Sequence, residues 1–199
     1  MNADKLKQLA FDAQRAVDTV ALEETICTQE DASLQSPGVP AHYYRFLYRL
    51  AQIVKPCLSL ELGTHTGISA ACMAEGNPEG KVITINNRSE LMERCRRANV
   101  EYVQIDSLQK VELPGLIDIL FMDTDHDGVR CLKEYELYIN DVRPGGIIFF
   151  DDISLNQPMK NFWNTFEPKE GEKIELPVHG WAGFGAVIKK RPLRPEEKA

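Results

Sequence analysis

The sequence has no Cys-x-x-Cys pair, no histidines at zinc-ligand spacing and no apolar run that approaches ~18 residues. Its five cysteines, Cys27, Cys57, Cys72, Cys95 and Cys131, stand singly along 199 residues, so neither a disulfide framework nor a thiolate metal site is expected. A scattered, odd complement suits a reducing compartment. Without a long apolar run no membrane-spanning helix is expected. The first residues, with Asp4, Asp12, Asp18, Glu23 and Glu24, are too polar for a secretory leader, and a cytoplasmic location is the expectation. Basic residues are outnumbered 23 to 30, for a net charge of −7, which argues against a nucleic-acid backbone as the main partner. Local basic runs at Arg94, Arg96 and Arg97 and at Lys189, Lys190, Arg191 and Arg194 read as solvated faces.

The chain does hold enough apolar residues, 43%, for one domain with a sizeable core. Helical spacing predicts amphipathic helices over 3–26 and 41–54, separated by a turn-rich stretch at 31–40. Strand and helix patterns then alternate: strands over 57–62, 81–85, 102–105, 117–122 and 146–150, helices over 90–98, 129–142 and 156–166. The segments 173–178 and 185–190 read as a closing hairpin. Strands as apolar as Gly146-Ile147-Ile148-Phe149-Phe150 are covered on both faces, which predicts a mostly parallel α/β sheet. The stretch between the third and fourth strands is short for a crossover helix. The expected divisions are an N-terminal helical extension over 1–34, a main domain over 35–191 and a tail over 192–199.

In such a sheet, ligands bind beyond the carboxyl ends of the strands. The first strand leads through Glu61-Leu62-Gly63-Thr64-His65-Thr66-Gly67-Ile68-Ser69 into a helix. Its two glycines permit tight turning and close ligand approach, and the helix start offers free N–H groups. A plain tight turn is the alternative. The dinucleotide fingerprint G-x-G-x-x-G is missing because His65 stands where its second glycine would be, which demotes a nicotinamide or flavin reading. The fourth strand ends in Asp123-Thr124-Asp125-His126 and the fifth in Asp151-Asp152. Carboxylates gathered there repel unless a cation or protons neutralise them, and all-oxygen donors suit Mg²⁺, Ca²⁺ or Mn²⁺. The plainer alternative is that Asp152 caps the following turn while the others are solvated loop acids.

Taken together, Glu61-x-Gly63-x-x-x-Gly67-x-Ser69, Asp123-x-Asp125-His126 and Arg143-Pro144-Gly145-Gly146 running into Asp151-Asp152 resemble class I S-adenosylmethionine-dependent methyltransferases. Within that class they look like the catechol O-methyltransferase-like and antibiotic-tailoring metal-dependent O-methyltransferases. The resemblance covers roughly residues 35–190. It implies a Rossmann-like, doubly wound, mostly parallel seven-stranded sheet with a C-terminal antiparallel hairpin and N-terminal helices. It implies that Glu61, Gly63, Thr64, Gly67 and Ser69 serve the methionine end of S-adenosylmethionine. Asn86 would serve the ribose, Asp106 and Ser107 the adenine, and Asp123 both cofactor and metal. Asp123, Asp151 and Asp152 would hold a divalent cation, Mg²⁺ by preference, and His126 would be the base for a hydroxylated small-molecule acceptor. Neither nucleic acid nor membrane is an implied partner, and the N-terminal helix offers an element for a homodimer.

The departure is Asn86, where the family carries an acid for the ribose hydroxyls. An amide loses the charge-assisted bonds, a cost of about 1–3 kcal/mol, or roughly tenfold to a hundredfold in affinity. Asn86 therefore favours one rival, a non-catalytic binding or scaffolding descendant of the fold. A second rival is a nucleotide-binding enzyme of another reaction type. Tyr43, Tyr44, Trp163, Trp181 and Phe184 are candidates for an aromatic wall over the site, or for simple packing.

Overall fold

A computed structural model of the chain describes residues 1–15, 42–88, 96–178 and 181–190. Its elements run α1 (Ala3–Arg15), α2 (His42–Val54), β1 (Leu58–Leu62), α3 (Ile68–Gly76), β2 (Lys81–Asn86), β3 (Val100–Gln104), β4 (Ile117–Met122), α4 (Gly128–Tyr138), β5 (Val142–Asp151), α5 (Gln157–Thr165), β6 (Gly171–Leu176) and β7 (Phe184–Lys189). The seven strands form one sheet in the order β3-β2-β1-β4-β5-β7-β6. The first five are parallel, and β7 runs antiparallel to both β5 and β6. The expected sheet and closing hairpin are therefore present. The chain reverses its direction of travel across the sheet between β1 and β4, the place where an open α/β sheet leaves a crevice.

Period-2 alternation along the strands feeds two cores. Ile119, Phe121, Ile147, Phe149, Phe184, Ala186 and Ile188 point to the face covered by α1, α2 and α3. Leu58, Leu60, Leu62, Ile83, Ile85, Leu120, Met122, Ile148 and Phe150 point to the face covered by α4 and α5. On the first face β1 and β2 present Ser59, Glu61 and Thr84 instead, all buried, so a polar knot lies under α3. Helix α3 tolerates this because Ala70, Ala71 and Ala74 let it seat closely, and a Cβ on its last residue, Gly76, would stand 2.4 Å from the Tyr48 carbonyl oxygen of α2. Leu6 and Ala10 of α1 are fully buried beside Phe46 and Leu50, so α1 is part of this core.

Some expected boundaries shift. The helix expected over 129–142 stops at Tyr138, because Val142 is recruited as the start of β5, opposite Ile117. A register shift follows, across Pro144, which has no N–H to give, and Gly145 at φ 81°. The helix expected over 90–98, the turn-rich stretch at 31–40, the second half of the helix over 3–26 and the tail lie wholly or largely outside the described residues. Among the described residues no helix is long and apolar enough to cross a membrane.

The aromatic candidates separate. Tyr43 reaches the rings of Phe121 and Phe184 at centroid distances of 6.2 and 5.9 Å. Phe184 is a core residue, and Trp163 lies on the opposite face against Phe150 and Phe166, so neither is part of a wall over the site. Trp181 is 74% exposed. Because Phe184 contacts Tyr43, Phe46, Phe121 and Phe149, Phe184→Ala removes a hub. It should cost about 3–5 kcal/mol, read as a lowered denaturant midpoint at unchanged m-value.

Candidate functional site

Above the carboxyl ends of β1, β2, β4 and β5 lies an open cavity of about 510 Å³, within the range of small-molecule sites. Its lining includes Gly63, Thr64, Ser69, Asn86, Ser107, Asp123, His126, Asp151 and Asp152, nine of the residues singled out from the sequence. Tyr43 and Tyr44 of α2, His65, Arg88 and Arg130 join them.

The turn after β1 is held tightly. Gly63 donates to Ile85 O at 2.8 Å and Gly67 to Thr64 O at 2.7 Å. Gly63 has φ 97°, and a Cβ there would fall 1.7 Å from the backbone oxygen of Asp123. No other residue type fits between the two strand ends. Gly67, at φ 83°, precedes α3 without a side-chain cap, so the first N–H groups of the helix face the turn.

Glu61 does not line the cavity. Alternation turns it into the polar knot beneath α3, where it is fully buried and accepts from Ser69 and Thr84. Thr84 and Thr64 share a hydroxyl bond of 2.6 Å. Burial raises the Glu61 pKa to about 8, against the opposing effect of those two hydroxyl bonds. Its action on the turn is from below, through Ser69 and the two threonines.

At the end of β2 Asn86 Nδ2 donates to Arg88 O at 2.9 Å. The amide is thereby oriented, and Oδ1 is its remaining acceptor. Beyond β3, Asp106 Oδ1 accepts from Leu108 N and from Arg130, and the Leu108 amide is the main reason its pKa is lowered.

On the other side Asp123 Oδ1 and Asp152 Oδ2 stand 3.3 and 2.8 Å from His126 Nε2. These two carboxylates, Asp123 foremost, raise the imidazole pKa to about 10. His126 as it stands is a cation at neutral pH. Both His126 and Asp152 sit at positive φ, 52° and 55°, a strained backbone that persists only when its surroundings fix it. One fixing group was not evident from the sequence: Asn156 Nδ2 donates to His126 O at 2.9 Å while Oδ1 caps α5 through Met159 N. Asp127 in turn caps α4 through Val129 N. Two carboxylates converging on one positive charge suit an oxygen-preferring cation by donor chemistry. Among the described residues, however, no three His, Cys, Asp or Glu side chains stand together as a ready ligand set.

Residues 60–153 match a family model described as a methyltransferase domain. The chain is 32% identical over 124 residues to a probable caffeoyl-CoA O-methyltransferase 3 of Dictyostelium discoideum, covering 55% of this chain and 49% of that protein. It is 31% identical over 119 residues to the catechol O-methyltransferase domain-containing protein 1 of Mus musculus, covering 52% and 45%. The chain thus spans about half the length of the curated relatives it matches. Among solved structures, the O-methyltransferase TomG from Streptomyces achromogenes, in complex with S-adenosylmethionine, superposes with a TM-score of 0.67 at 18% identity, over 96% of this chain and 100% of that one. An O-methyltransferase from Bacillus cereus in complex with S-adenosylhomocysteine gives 0.63 at 24% identity, over 94% and 99%. At these identities the structural likeness is one of fold.

The buried Glu61 makes a testable demand. Its folded pKa of about 8 lies above the ordinary carboxyl value of about 4.3. Between those values the folded state keeps a proton that the unfolded state has lost, so stability falls as pH rises and the penalty is complete above the folded pKa. Glu61→Gln should remove that part of the slope. Unfolding free energies of both chains from pH 4 to 9 check this, with the difference in slope confined to that window and the accumulated offset constant above it.

Proposed function

We propose that this chain, which carries a class I methyltransferase domain, moves the methyl group of S-adenosylmethionine to a hydroxyl oxygen of a small molecule. The observation that carries the reading is the convergence of four strand ends on one cavity. A glycine-built turn lies on one side of it, and a histidine between two carboxylates on the other. Bound there, the cofactor supplies an electrophilic methyl on a sulfonium centre. The Gly63-Thr64 turn and the start of α3 would receive its methionine end, with Ser69 set by Glu61. Asn86 Oδ1 would accept from the ribose, and Asp106 and Ser107 would face the base.

Asp123, Asp151 and Asp152 would hold a divalent cation, for which Mg²⁺ suits the all-oxygen donors. Bound there, such an ion would supply a lowered pKa at an acceptor hydroxyl and would offset the carboxylate charge that keeps His126 protonated. His126 Nε2, which stands beside Asp123 and Asp152, would then be the atom that takes the hydroxyl proton. Tyr43 and Tyr44, whose hydroxyls burial holds firmly protonated, close the cavity on the α2 side as neutral donors beside Asp123 and Asp151.

Asn86 favours the second reading, a binding protein without turnover. Two measurements separate them. Transfer of labelled methyl from S-adenosylmethionine to a panel of hydroxylated aromatics and sugars should occur, stop with a chelator and fall at least about a hundredfold in Asp152→Asn. Ligand binding without transfer to any acceptor favours the binding protein. Asn86→Asp should restore the charge-assisted ribose bonds and tighten S-adenosylhomocysteine about tenfold to a hundredfold by calorimetry. An unchanged affinity removes Asn86 from the ribose site.

A further inference from the structure

Helix α4 borders the cavity described above only through Arg130 in its first turn. Its second half, with the end of α5 and the approach to β6, encloses a second cavity of about 510 Å³, also within the range of small-molecule sites. The two cavities share no lining residue among those described. Leu132, Tyr135, Ile139, Phe162 and Phe166 make the apolar floor. Its rings are set by one another: Tyr135 meets Phe166 edge-on with centroids 4.8 Å apart, and Phe162 stacks on Phe166 at 5.0 Å. Leu132 nevertheless stays 39% exposed.

The polar lining is lopsided. Glu136, Glu167 and Glu170 stand there against one ammonium, Lys169. Among the described residues Glu136 and Glu167 enter no ion pair. Glu170 is 3.9 Å from Lys189 Nζ, which already donates to Ile139 O and Val142 O at 2.8 and 2.9 Å. Tyr135 is only 4% exposed, and its buried hydroxyl has no hydrogen-bond partner among the described residues. An unpaired buried hydroxyl is rare enough to need a reason. Burial and the nearby Glu170 carboxylate hold this phenol above its ordinary pKa, so it is a neutral donor directed to the acidic side of the cavity.

We infer that the cavity between α4 and α5 is a second ligand site, which takes a small aromatic amine bearing an oxygen acceptor. The aromatic body covers the apolar floor. The ammonium sits among Glu136, Glu167 and Glu170, within reach of aromatic ring faces. The oxygen accepts from the Tyr135 hydroxyl. An anion of the same shape meets three carboxylates and one lysine. The inference does not depend on the adenosyl-cofactor reading.

The test is a titration of the full chain with 4-methoxyphenethylamine at low salt, followed through backbone amide shifts. Two isosteres, neutral 2-(4-methoxyphenyl)ethanol and anionic 4-methoxyphenylacetate, are run beside it. The amine should give saturable shifts at residues 132–140 and 162–170 and leave the turn at 63–69 unmoved. The alcohol should bind at least about fivefold more weakly than the amine, and the anion more weakly still. In the double variant Glu136→Gln, Glu167→Gln the preference for the amine over the alcohol should vanish. Tyr135→Phe should weaken amine and alcohol alike, by about threefold or more. Melting temperature and S-adenosylhomocysteine affinity are recorded for each variant, and neither should move with the amine's affinity. Equal binding of amine and alcohol, a preference that survives in the double variant, or shifts that fall outside both segments would overturn the inference. So would the absence of saturable shifts at millimolar ligand. An unchanged affinity in Tyr135→Phe overturns the part assigned to the phenol.

Discussion

The contact between the backbone of Gly63 and the backbone of Asp123 is the constraint from which the site follows. β1 and β4 are neighbours in the sheet, joined at their ends by Asp123 N donating to Leu62 O at 2.8 Å. The chain can turn from β1 into α3 only if the next residue has no Cβ and accepts φ 97°. Once that contact is made, the glycine turn and the acid that ends β4 share a wall. The cavity between them is an outcome of strand register rather than of loop placement, and rigid elements hold functional groups more precisely than loops do.

Around that wall four acidic groups have named partners. Asp106 has Arg130 and the Leu108 amide, Asp123 and Asp152 share His126, and Glu61 has two hydroxyls. This matters in a cavity that gathers carboxylates, because like charges at close range raise one another's pKa unless compensated. The compensation also divides the cavity chemically. A fixed cation, Arg130, stands on the side proposed for the base. A titratable one, His126, stands on the side proposed for the acceptor, where a proton has to move.

Much of this was legible in the sequence, and the rest was hidden for identifiable reasons. Apolar runs such as Ile117–Met122 and the Gly63/Gly67 spacing carried the parallel sheet and its first turn, because covered strands and positive-φ turns restrict residue choice. The direction of Glu61 was not legible: it lies in a motif whose neighbours face the cavity, but strand alternation turns it beneath α3. Trp163 and Phe184 could not be told from a cavity wall without knowing which face of β5 and β7 each one covers. Arg130 and Glu134 look on paper like an ordinary exposed i,i+4 pair. Their partners, Ser107 and Asp106, lie 23 to 27 residues away, a distance no local pattern spans. The early end of α4 was missed because Val142, apolar and in helical register, pairs with Ile117 instead.

The central claim is that this cavity is an adenosyl-cofactor site laid across the ends of β1, β2 and β4, with its reactive end toward His126. A crystal structure of the chain grown with S-adenosylhomocysteine tests it most directly. The account predicts the amino-acid end at the Gly63-Thr64 turn, a ribose hydroxyl on Asn86 Oδ1, the base beside Asp106 and Ser107, and the sulfur facing the His126–Asp152 pair. Crystals that form at saturating ligand with the cavity empty, or with the ligand bound elsewhere on the chain, would contradict it.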